Sequence, residues 1–118
     1  MVESSLSTME EQSQVLGSEI RCTNYVPAGQ HQRLGRETAR VLGGDVAVLL
    51  ANHGGVACGR NLEETLFATQ IVERVAQMYL LTRAAGGAIP IPQEFVVSER
   101  ERYLYKYGKA EDDVLAAS

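Results

Sequence analysis

A chain of 118 residues has room for one domain, and a hydrophobic content of 45% is enough to bury a core, which argues against disorder along its length. With 11 Lys and Arg against 15 Asp and Glu, the formal net charge of −4 lacks the clustered cations of a nucleic-acid binder. No run is long and apolar enough to span a bilayer, and the start Met1-Val2-Glu3-Ser4-Ser5 has neither the basic region nor the apolar stretch of a signal peptide. The expectation is a cytoplasmic protein whose partner is a small molecule or a protein, with no nucleic acid and no membrane involved.

Residues 1–17 read as a polar lead-in, helix-compatible only around Ser7 to Leu16. Ile20 to Tyr25 alternates and is closed by Val26-Pro27-Ala28-Gly29, which predicts a strand followed by a loop. From Gln30 to Leu42, Leu34, Thr38, Val41 and Leu42 recur at helical spacing, and Gly43-Gly44 supplies the stop. Val46 to Ala51 is a continuous apolar run of strand length, the pattern of a strand buried on both faces. Asn52-His53-Gly54-Gly55 turns the chain into a second short strand, Val56 to Gly59.

Asn61 is a good N-cap, and Glu64 three residues later can bond back to complete a capping box, so a helix should run from Leu62 to about Ala85. Its apolar stripe is Ala68, Ile71, Val72, Val75, Ala76 and Tyr79. Met78-Tyr79-Leu80-Leu81 carries apolar surface around the whole helix, which implies cover by other parts of the fold or by another subunit. Gly86-Gly87 and Pro90 end it, Pro90-Ile91-Pro92 is a stiff connector, and Glu94 to Tyr105 is a charged helical segment. Residues 109–118 read as a frayed tail. Three short strands leave sheet edges exposed, so further strands must come from elsewhere.

For chemistry, His53 is the sharpest candidate: an imidazole in a glycine-flanked turn after a buried strand, either a ligand-binding group or a histidine that caps the turn. A zinc site needs three or four donors and spacing shows one. His31 reads as a solvated helix start. Arg33, Arg36 and Arg40 share a helix face and either meet a phosphate or form a solvated stripe with Glu37. Gly43-Gly44 and Gly54-Gly55 sit in no nucleotide-binding frame. Cys22 and Cys58 show no CxxC spacing and read as reduced, buried thiols.

The stretch Ala47-Val48-Leu49-Leu50-Ala51-Asn52-His53-Gly54-Gly55-Val56-Ala57-Cys58-Gly59-Arg60-Asn61-Leu62-Glu63-Glu64, continued by Gln70 to Leu81, resembles the signature of the class II aldolase/adducin family. Ile20 to Tyr25 with Gly29 resembles the strand before it, and Tyr107-Gly108 the ending seen in fuculose-phosphate aldolases. The resemblance covers residues 18–108 and is to the C-terminal half of such an enzyme. It implies a three-layer α/β/α fold with a mostly antiparallel sheet, here incomplete, and a symmetric homotetramer with active sites between subunits. It also implies zinc, with His53 as one of three histidine ligands, and Tyr25 and Tyr107 acting at a neighbouring subunit's site as acid or closing tail. The implied reaction is reversible cleavage of a sugar phosphate, a phosphorylated ketose such as fuculose 1-phosphate.

The family's other two zinc ligands form a His-x-His pair in an N-terminal half, with the glutamate and most of the phosphate loop. No His-x-His occurs in this sequence. The expectation is therefore a chain inactive alone that needs a companion N-terminal half. The alternatives are a non-catalytic adducin-like interaction module, or an epimerase, dehydratase or decarboxylase of the same family. Asn52 stands where fuculose-phosphate aldolases often carry a second histidine, which keeps the last group open.

Overall fold

The computed structural model describes Met9 and residues 11–106. After a short π-helical turn, Gln12–Leu16, come β1 (Arg21–Cys22), α1 (His31–Leu42), β2 (Ala47–Leu50), β3 (Gly54–Ala57), α2 (Leu62–Ala84) and α3 (Gln93–Tyr105). The strands form one sheet in the order β1-β2-β3. β1 runs parallel to β2, pairing Arg21 with Val48 and Cys22 with Leu49. β3 runs antiparallel to β2 from Ala47 opposite Ala57 to Leu50 opposite Gly54. Among the described residues the outer edges of β1 and β3 have no neighbouring strand.

Residues on β2 alternate between two faces, as the pleat requires. Ala47 lies in the main core with Ile20, Ala68, Ile71 and Val75, and Leu49 packs against it. Val48, 1% exposed, is buried on the opposite face. α1 packs on β1 and β2, while α2 packs on β2, β3 and the π-helical turn. That is helix, sheet and helix in layers. The apolar stripe expected on α2 is the face the structure buries: Ala68, Ile71 and Val75 are in the core and Val72 lies against it. No helix among the described residues is long and apolar enough to cross a membrane.

The lead-in differs from its expected polar character. Val15 and Leu16 belong to the core, and Gln12 and Ser13 are fully buried. The side chain of Arg100 on α3 accounts for this, because its Nη1 donates to the carbonyls of Gln14 at 2.7 Å and Val15 at 2.9 Å. Gln14 in turn donates to Glu99 at 2.7 Å. These bonds satisfy backbone acceptors at the end of the turn and let α3 lie over it, a tertiary effect that local polarity does not encode.

α2 begins as expected, with Asn61 accepting from the Glu64 amide at 2.8 Å. The return bond differs: the Glu64 carboxylate reaches the Arg60 amide at 3.3 Å and its guanidinium at 2.8 Å, one residue earlier than a capping box requires. Arg60 competes with the cap amide because a charged donor binds a carboxylate more strongly. It holds the Glu64 carboxyl below the usual range. The thiols differ too, since both are free but Cys22 is half-buried and Cys58 exposed.

Candidate functional site around His53

β2 ends at Leu50, and the chain reverses through Ala51, Asn52 and His53 before β3. The His53 amide donates to the Leu50 carbonyl at 2.9 Å. Asn52 takes φ 64°, a left-handed conformation that asparagine tolerates better than most residues with a side chain. The reversal leaves His53 outside the sheet at the end of β2. There its ring stacks on Tyr25, with centroids 5.7 Å apart and planes 11° from parallel.

His53 Nε2 lies 2.7 Å from the carbonyl oxygen of Val26. A carbonyl only accepts, so Nε2 carries the proton and Nδ1 holds the free lone pair. A metal-ligating histidine commonly gives its second ring N–H to such a carbonyl, and so does many a histidine that binds no metal. Ligation through Nε2 would require the Val26 bond to break.

The loop that supplies Tyr25 and Val26 is fastened at two points. Thr23, buried, donates its amide to Leu49 at 2.9 Å and accepts the Ala51 amide on its hydroxyl at 3.2 Å. On the other side, Glu37 on α1 accepts from the Asn24 amide at 3.1 Å. Arg40 bonds that carboxylate at 2.6 and 3.0 Å and, with the Asn24 amide, lowers its pKa to about 2. The arginine stripe on α1 is thus partly spent inside the chain, since Arg33 also bonds Gln30.

Tyr25, expected to serve a neighbouring subunit's site, stacks on His53 of its own chain. Tyr107 lies outside the described residues. His31 is exposed at the start of α1, as expected. No cluster of three or more His, Cys, Asp or Glu side chains able to hold a metal occurs among the described residues. A groove of about 310 Å³ between β3 and α2, with Leu49, Val56, Val72 and Glu73 on its walls, does not include His53 or Tyr25. Thr23 and Val26 carry no local signal because their bonds join segments distant in sequence, and Glu37, expected in a solvated stripe, holds the Asn24 amide.

The sequence profile described as "Class II Aldolase and Adducin N-terminal domain" matches residues 2–80. Over 75 residues the chain is 37% identical to an L-fuculose phosphate aldolase of Escherichia coli O6:H1, covering 64% of this chain and 34% of that protein. Over 60 residues it is 42% identical to a 4-hydroxy-3-prenylphenylpyruvate oxygenase/4-hydroxy-3-prenylbenzoate synthase of Streptomyces roseochromogenus subsp. oscitans, covering 51% of this chain and 22% of that one. A solved structure of an L-fuculose 1-phosphate aldolase superposes with a TM-score of 0.81 at 28% identity, over 87% of this chain and 48% of that one. The chain thus spans about a third of the aldolase it matches in sequence and about half of the solved one.

Proposed function

The chain belongs to the class II aldolase and adducin family, and on that premise we propose that it is part of a zinc-dependent aldolase acting on a phosphorylated ketose such as fuculose 1-phosphate. The supporting observation is the His53 ring at the end of β2, bonded at Nε2 to Val26 and stacked on Tyr25. The names of the E. coli relative and the solved neighbour support the substrate class.

Zinc needs three protein donors beside an open position, and the described residues offer one. They do not make a zinc site by themselves, so no step through the metal is derived from them. In this reading His53 contributes one nitrogen. The remaining donors, the proton-moving glutamate and the phosphate loop come from a companion N-terminal half. Tyr25, 55% exposed, and Tyr107 serve a neighbouring subunit's site, as acid or as part of the closing tail. Met78, Leu80 and Leu81, all exposed in the single chain, are the surface that a second subunit covers.

A second reading rests on the Streptomyces relative: a 60-residue match is to an enzyme named for a prenylated aromatic substrate, which supports membership of a family enzyme with a substrate other than a sugar. Titrating zinc into the protein and its His53→Ala variant, followed by histidine NMR signals, tests the donor assignment. Weak binding that shifts His53 and disappears in the variant is expected. Tight binding that survives the substitution sinks it.

A further inference from the structure

We infer that Thr23 is a positioning residue for the His53–Tyr25 pair: its hydroxyl, by holding the Ala51 amide, fixes the ring of His53 in the Nε2–H form against Val26. Thr23 follows β1 directly, where another ladder bond to β2 would otherwise form. Its backbone continues the parallel pairing through the bond to Leu49, and its side chain then supplies the acceptor that the next backbone carbonyl of a longer strand would have offered. That substitution ends β1 at Cys22, short of the Tyr25 limit expected from alternation.

The consequence falls on both limbs of the site. Ala51 is the residue before the left-handed Asn52 and two before His53, so fixing its amide fixes where the reversal begins. Thr23 is also two residues before Tyr25 and three before Val26, which carry the stacked ring and the accepting carbonyl. One side chain therefore sets the distance between the two strands' exits. Glu37 holds Asn24 from the far side but touches only one limb, so it steadies the loop without setting that distance. Thr23 is buried and Ala51 half-buried, so removing the hydroxyl leaves the Ala51 amide short of an acceptor, at a cost.

The inference rests on His53 being the functional group of the site, and its test is separable from that reading. The full chain, labelled with 15N, is compared with Thr23→Val, which keeps the branched shape and loses the hydroxyl, and with Thr23→Ser, which keeps the hydroxyl. At alkaline pH, where the ring is neutral, the wild type should show a single Nε2–H form and ring-current shifts from Tyr25. Thr23→Val should populate the Nδ1–H form and lose at least half of those shifts, and Thr23→Ser should restore both. If Thr23→Val does not fold, Thr23→Ala against Thr23→Ser makes the same comparison. Identical His53 signals with and without the hydroxyl, in folded protein, overturn the inference. Zinc response is read in the same samples: a changed tautomer with no zinc response at His53 in any of them would leave the positioning role standing and defeat the metal reading.

Discussion

Removing the guanidinium of Arg100 tests how α3 is held to the rest of the fold. Arg100→Met keeps the apolar stem and deletes the donor that bonds the Gln14 and Val15 carbonyls at 2.7 and 2.9 Å. Bonds from a charged donor contribute about 1.5–3 kcal/mol each, and half-burial favours the lower end. Burial also disfavours the charge, pushing the Arg100 pKa down, and this offsets part of the gain. The expected net loss is about 2 kcal/mol, or roughly 8 °C in Tm for a chain of this size. Urea unfolding followed by circular dichroism gives the value. Gly17 supplies an internal control, because at φ 83° an added Cβ would sit 3.0 Å from Arg100 Nε. Gly17→Ala should be destabilising in the wild type and less so in Arg100→Ala, which removes the Cγ, Cδ and Nε that the new Cβ would meet, a coupling that a double-mutant cycle measures. A loss under about 0.5 kcal/mol for Arg100→Met with an unchanged m-value would refute the reasoning, and α3 would then be held by the Gln14–Glu99 bond and the apolar packing of Val96 and Tyr103.

Asn61→Ala should cost about 1 kcal/mol by removing the acceptor for the Glu64 amide, while Asn61→Ser should recover most of it in the same unfolding assay. Glu37 is held below its ordinary value of 4.5, at about 2, so its tether to Asn24 is fully present above pH 4.5 and lost as pH falls toward 2. The Asn24 amide signal should titrate with the Glu37 carboxyl through that window, and a midpoint at an ordinary glutamate value would show that Arg40 does not hold the carboxylate in solution. Sedimentation over a range of concentrations should show self-association through the exposed apolar turn of α2 at Met78, Leu80 and Leu81, weakened by Leu80→Glu. A folded monomer at every concentration would contradict that assignment.

The elements most legible in the sequence are those that carry their own signals. α1 and α2 match their apolar spacing and glycine stops to within a residue, and Asn61 caps α2 as its side chain dictates. β2 was legible as an apolar run, and His53 as the tip of the turn after it. What escaped depends on contacts distant in sequence. The burial of Gln12, Ser13, Val15 and Leu16 goes with a tie to Arg100, more than 80 positions away. β3 begins at Gly54, two residues before its apolar stretch, because Gly54 adopts φ 141° and can pair with Leu50 where a residue with a Cβ rarely would. The Tyr25–His53 stack joins residues 28 apart through a parallel pairing that no local pattern announces.

The central claim is that this chain contributes His53 to an aldolase site whose other donors come from a companion N-terminal half. The most direct measurement is cleavage of fuculose 1-phosphate, with dihydroxyacetone phosphate as the readout, by the full chain alone and after assembly with an N-terminal half that carries a His-x-His pair and the glutamate. The account predicts no cleavage by the chain alone, chelator-sensitive cleavage by the verified assembly, and loss of that cleavage with His53→Ala. Chelator-sensitive activity from the chain alone, or an assembled and active enzyme indifferent to His53→Ala, would contradict it.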